Sequence, residues 1–371
     1  MNTVRGWSAL RGGRLAAGAG RVRANGWPIL QTAVAASAAY FFATVVLGQQ
    51  QPFFAPIAAV ISLGLTLGQR RKRAVEVVIG VAVGLLVADL IVLAIGIGTL
   101  QIGIVVAIAM AAAVLFAERS LFVNQAAISA ILVIILQPPD SGFSPDRVLS
   151  ALAGGGVALA VHYLLPVNPE RVVERAARPI FKELAAVLEE IAAALSANDP
   201  NLAESALEKA REIDRSVAGL REALDAGYET ARLSPTRRRS LRHLEFYSGA
   251  SIRIELTVIN TRVLARGAVN AIIRGDAIPP VLPVLPEAVL DLSRSVSALA
   301  VFLEHPGPPD EARRCALEAA RRATEILEER HDLAISVLVG QIRAAAVDLL
   351  RSTGMDQASA LHALEEAAGR P

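Results

Sequence analysis

Apolar residues fall in long unbroken runs over the first 167 positions and at helical spacing afterwards. A helix needs about 20 apolar residues to cross a hydrocarbon core of ~30 Å. Six segments meet or approach that length: residues 28–48, 53–68, 74–95, 100–117, 121–136 and 148–166. A helix of a soluble domain keeps a polar face toward water, and these segments have none. The pattern therefore predicts six membrane-spanning helices joined by short links. The segments at 53–68 and 121–136 are short and are expected to lean on neighbouring helices.

Beyond Pro166 the pattern changes character. Val173, Ala177, Ile180, Leu184, Val187, Ile191 and Leu195 recur at steps of three and four, the spacing of an amphipathic helix, with Pro179 expected to break or kink the run near its start. Leu202, Ala206, Ala210, Ile213, Val217, Leu220 and Leu224 repeat the device after Asp199-Pro200, a cap followed by a first-turn proline. Further helices are predicted at about 235–274, 286–304, 310–352 and 356–368, separated by proline-rich turns at 275–286 and 305–310. The chain is thus predicted to be all-α: a six-helix transmembrane domain at 28–167 behind a basic tail at 1–27, then a cytoplasmic antiparallel helical bundle with coiled-coil-like seams at 168–371.

Charge changes this picture by giving it an orientation. The whole chain carries a formal +2, but residues 1–167 hold 11 Lys/Arg against 5 Asp/Glu, so the first part is +6 and the rest −4. Arg5, Arg11, Arg14, Arg21 and Arg23 lie in the tail, Arg70, Arg71, Lys72 and Arg73 follow the second segment, and Arg119 follows the fourth, whereas the alternate links contain only Arg147. Basic residues stay on the cytoplasmic side, which places both termini inside, as expected of a multi-pass protein of the inner (plasma) membrane. The basic start reads as a retained tail rather than a cleaved leader, since removing the first segment would leave five spans and upset the alternation. A near-neutral total gives no support for nucleic-acid binding.

Few ionisable residues interrupt the spans, and those that do are candidates because such groups are costly in hydrocarbon. Asp89 lies deep in the third segment, where a carboxylate can couple to protons or gate permeation. Asn124 and Gln125 open the fifth segment close behind Arg119, offering amide and guanidinium donors suited to a carboxylate substrate. Glu76 and His162 are weaker candidates: Glu76 sits beside the basic cluster as an ion-pair partner, and His162 near the inner end of the sixth segment. Arg70, Arg71, Lys72 and Arg73 form a cytoplasmic basic rim that can hold lipid headgroups or gather anions. Gly80, Gly84 and Ala88, four apart, and Gly154, Gly155 and Gly156 suit close helix approach. No phosphate loop, metal-ligand spacing or nucleophile elbow appears, and Cys315 is the lone cysteine. The sequence gives no reason to expect an enzyme, a cofactor or a metal.

The run FAPIAAVISLGLTLGQRRKRAVEVVIGVAVGLLVADL at 54–90 resembles the fusaric acid resistance and aromatic acid exporter family of bacterial membrane proteins. LQPPDSGFSPDRVLSALAGGGVALAVHYLLP at 136–166 is similar to the last span of that family and the loop before it, and VNPERVVERAARPIFKEL at 167–184 continues the likeness. The resemblance implies a membrane transporter or channel, an exporter of aromatic or other organic acids. Larger members carry two membrane halves, so one half here implies a homodimer or higher oligomer. The alternative is a cytoplasmic helical interaction or sensor module on a membrane anchor, which needs no polar pathway and would tolerate loss of Asp89.

Overall fold

The computed structural model describes residues 22, 26–63, 79–80, 84, 90–91, 99–116, 120–136, 145–274, 284–305, 307–329 and 333–369. All regular structure among them is helical, without a strand. The chain forms two compact units, one running to Val167 and including Leu233–Thr236, the other made of Asn168–Arg232 and the residues from Arg237 onward.

In the first unit the described helices are α1 (Gly26–Val45), α2 (Phe54–Leu63), α3 (Thr99–Phe116), α4 (Ser120–Leu136) and α5 (Pro145–Leu164). Residues 79–80, 84 and 90–91 are helical as well and belong to the third apolar segment. Helices α1, α2 and α5 pack on one another, and α3 pairs with α4. The interior is built from small side chains: Ala35, Ala39 and Ala43 of α1 meet Ala55 and Ala59 of α2 and Ala158 of α5. Phe54, Ala58, Val105, Ala109, Ala130 and Ala151 form a second cluster. The large apolar side chains point outward instead, Phe41 being 64% exposed, Leu100 82% and Leu115 85%. In water each such side chain would forgo about 1.5–3 kcal/mol of burial. In hydrocarbon there is no such loss, and small residues let the backbones close on one another.

The second unit has the opposite arrangement. Its helices are α6 (Pro169–Ala197), α7 (Pro200–Leu233, whose last residue joins the first unit), α8 (Ser240–Arg274), α9 (Val284–Glu304), α10 (Asp310–Glu329), α11 (Leu333–Ser352) and α12 (Gln357–Ala367); the 3-10 turn at Pro235–Arg237 has its first two residues in the first unit. Ile180, Leu184, Leu188, Ile213, Leu244 and Tyr247 are among its fully buried side chains, while the charged residues lie mostly outside. This is the packing that water drives.

Local signals set the helix ends. Asn168 caps α6, its Oδ1 accepting from the Glu170 N–H at 3.1 Å, with Pro169 at the first helical position. Asn198 ends the helix in the left-handed conformation at φ 51°, and Asp199 Oδ1 then accepts from the N–H groups of Asn201 and Leu202 to start α7. Pro179 does not break α6 as the sequence predicts. The helix runs through it because Val173, Ala177, Ile180, Phe181 and Leu184 on either side are all buried in one core, which outweighs a proline penalty of about 3 kcal/mol. The single helix predicted over 310–352 is instead two, α10 and α11. They fold back on each other, as Arg313 Nε donating to Thr353 Oγ1 at 2.8 Å shows.

Helix α11 has a mean hydropathy of 1.7, above the 1.4 of α1, and by length and composition both could cross a membrane. Helix α11 packs against α8, α9, α10 and α12 within the second unit. Ile335, Leu338, Val339, Ile342, Leu349 and Leu350 are buried there, while Leu333 and Val337 stay exposed, so much of its apolarity serves packing within the protein.

Candidate functional site

Within the first unit, polar side chains cluster where α1 and its following link approach α5. Gln31 of α1 is 2% exposed and His162 of α5 is 4% exposed. The Gln31 amide donates to the Leu165 carbonyl at 3.0 Å, and its nitrogen is 3.4 Å from His162 Nδ1. The Leu165 carbonyl follows the last turn of α5, where helix geometry leaves acceptors without an intrahelical partner. Past the other end of α1, Gln49 Nε2 donates to the Asp146 carbonyl at 2.7 Å, and the Ser150 hydroxyl donates to Gln49 Oε1. Ser234 belongs to this unit too, its hydroxyl donating to the Tyr163 carbonyl at 2.9 Å.

Between these polar ends the helices touch through glycine and alanine. A Cβ added to Gly154 of α5 would stand 2.1 Å from the Ala55 carbonyl oxygen of α2. One added to Gly84, in the third apolar segment, would stand 2.4 Å from the Ala126 carbonyl oxygen of α4. No side chain fits at either distance, so glycine is obligatory for these approaches. Gly80, one turn before Gly84, is buried too. The expectation of close helix packing is met at Gly84 and Gly154 but not at Gly156, which is exposed with nothing within 4 Å of an added Cβ because it turns away from α2; Ala88 lies outside the described residues.

The sequence candidates are placed as follows. His162 is buried against Gln31 at the α1–α5 contact. Asn124 is on the exposed side of α4, whose buried stripe is Val123, Ala126, Ser129 and Ala130. Gln125 is in α4, and its side chain lies outside what is described. Asp89, Glu76, Arg119, Arg70, Arg71, Lys72 and Arg73 all lie outside the described residues. Sequence reasoning missed Gln31, Gln49 and Ser150. Gln31 carried a usable signal, an amide within an otherwise apolar span; Gln49 sits in a polar link, and Ser150 is a lone serine near the start of the sixth apolar segment, so neither carried one. Among the described residues no group of three or more His, Cys, Asp or Glu could hold a metal ion.

Residues 36–161, which include most of the α1–α2–α5 core and the Gly84 and Gly154 contacts, match the fusaric acid resistance protein-like family. An uncharacterized protein of Corynebacterium glutamicum is 35% identical over 357 residues, covering 93% of this chain and 89% of that protein. The chain belongs to the fusaric acid resistance protein-like family. A Mycobacterium tuberculosis relative named "Putative arylamide transporter" is 33% identical over 286 residues, 74% of this chain and 78% of its own length, and a Mycobacterium bovis protein of the same name matches equally. Family membership and the outward-facing apolar helices together make this a membrane protein.

Proposed function

We propose that this chain is a membrane transporter that exports aryl-containing organic solutes, aromatic acids foremost, from the cytoplasm across the inner membrane. The observation that carries the reading is kinship over three quarters of the chain with a protein named for arylamide transport. The inverted packing of the first unit supports it, since an alanine-lined interior under an apolar exterior is what a bundle immersed in lipid requires. In this reading residues 28–167 form six spans, and residues 1–27 and 168–371 are cytoplasmic. Arg70, Arg71, Lys72 and Arg73 gather anions at the inner mouth, Arg119, Asn124 and Gln125 receive the carboxylate, and Asp89 couples or gates passage. Glu76 holds the basic rim in place. His162, tied to Gln31, keeps α5 seated on α1. Exposure of the Asn124 amide on α4 fits a homo-oligomer, because an amide on the outside of a membrane helix is best satisfied by water, headgroups or a second copy.

Arylamides and aromatic acids share the ring and differ in charge. Uptake into inside-out vesicles or efflux from right-side-out vesicles holding the full-length chain, measured with labelled arylamides, aromatic acids and aliphatic acids with and without a pH gradient, separates them. Gradient-dependent movement of aromatic acids supports the reading. Movement of neutral arylamides alone would replace the acid with the amide, and no movement of any solute beyond empty vesicles would reduce the first unit to an anchor.

A further inference from the structure

Helix α8 presents two unlike faces. One is buried in the second unit through Leu244, Tyr247, Ile254, Val258 and Leu264. The other faces outward, with Ile252 58% exposed, Leu256 37% and Ile259 36%, and with Val263 half-buried beside them. This apolar stretch is bracketed by the exposed residues Glu245 and Gly249 on its N-terminal side and Arg266 and Asn270 on its C-terminal side. From Glu245 to Asn270 the outward positions step by 4, 3, 4, 3, 4, 3 and 4, a 3.5-residue repeat. A repeat held at 3.5 rather than 3.6 keeps one seam facing a second helix along its length, which is the signature of coiled-coil pairing.

We propose that this seam is the interface with a second copy of the chain, the two α8 helices pairing antiparallel about a two-fold axis that passes between Thr257 and Val258. In that register Leu256 layers with the partner copy at position 259, and Ile252 layers with it at position 263, which fills four consecutive layers with apolar side chains by symmetry. Position 266 of the second copy then falls opposite Gly249, where nothing lies within 4 Å of an added Cβ. The guanidinium there has room and reaches Glu245, one layer on and about 6 Å along the helix. Glu245 and Arg266 make no ion pair with any described residue of their own chain, whereas the flanking Glu255 and Arg262 are already paired, with Arg221 and Asp214. A parallel pairing would instead set Arg266 on Arg266 and Glu245 on Glu245. The charges therefore choose a second copy, and its direction. The inference does not depend on what is transported.

The test is cysteine cross-linking of the full-length chain in lipid vesicles, in a Cys315→Ser background. Leu256→Cys, close to the axis, should cross-link to itself and double the mass, while Ile273→Cys, far from it, should not. Differently tagged copies carrying Gly249→Cys and Arg266→Cys should cross-link to each other. Glu245→Arg or Arg266→Glu alone should lower Leu256→Cys cross-linking about fivefold, and the two together should restore it. Both positions are exposed, and the rescue distinguishes a lost interface from a lost fold. The proposal is overturned if Ile273→Cys cross-links as well as Leu256→Cys, or if the double charge variant is no better than the singles. It is equally overturned if Leu256→Cys is shielded from thiol reagents in vesicles yet never cross-links, because lipid or the same chain then covers the seam.

Discussion

Asn260 of α8 donates its side-chain amide to the Asp348 carboxylate of α11 at 2.9 Å, joining two long helices of the second unit at a carboxylate that is only 8% exposed. Burial pushes the Asp348 carboxyl up to about 6, the nearby Arg253 and Arg351 and the Asn260 bond pulling the other way. The folded state therefore holds this proton more tightly than the unfolded chain, whose ordinary value is 3.8. The resulting stability is fully present below about pH 4 and is lost as pH rises through about 6, amounting to about 3 kcal/mol at most. Asp348→Asn should remove that slope. Thermal unfolding of wild type and variant across pH 4 to pH 7 reads it as a difference between the two curves, and parallel curves would show that Asp348 titrates normally.

Gly154→Ala should disrupt the first unit, because its Cβ would meet backbone, not a movable side chain, at 2.1 Å. Relief requires α5 to shift from α2, an overpacking cost of about 1–3 kcal/mol or more. Gly156→Ala, two residues on, meets nothing within 4 Å and should be neutral. The fraction of monodisperse protein after detergent extraction separates the two, and equal behaviour would mean that α2 and α5 do not pack this closely.

The proposed topology, with both termini inside, rests on the basic residues of the short links, and it can be tested with single cysteines in a Cys315→Ser background. An impermeant thiol reagent added outside intact cells should label Ser141→Cys and leave Ser205→Cys untouched. The reverse pattern would invert the protein in the membrane. Native Cys315 is itself buried, its thiol pushed up chiefly by that burial, so wild type should label slowly even after lysis.

Asp89→Asn should abolish the dependence of transport on a pH gradient while leaving expression and oligomer size normal, since it keeps shape and hydrogen bonding and removes only the titration. Efflux rates at two imposed gradients check this. An unchanged pH profile would leave Asp89 with a structural role only.

The sequence by itself determined most of the described helices to within a few residues, α10 and α11 excepted, because apolar runs and 3-to-4 spacing are local properties that no partner has to supply. It also determined the cap at Asp199 and the small-residue stretches that hold Gly84 and Gly154, whereas the Asn168 cap and the need for glycine itself came from the structure. Tertiary structure decided the rest. Helix α11 is as apolar as α1, and only the helices packed against it show that its apolar side chains are largely used inside the second unit. The continuity of α6 through Pro179 depends on a core formed by residues far along the chain. The division of α10 from α11 falls where no glycine or proline marks a turn. Gln31 and His162, 131 positions apart, become neighbours only when α1 lies on α5. The polar contacts of the first unit were hardest to read for that reason: hydrophobic pattern is written along one helix, whereas a hydrogen bond between helices depends on which faces meet.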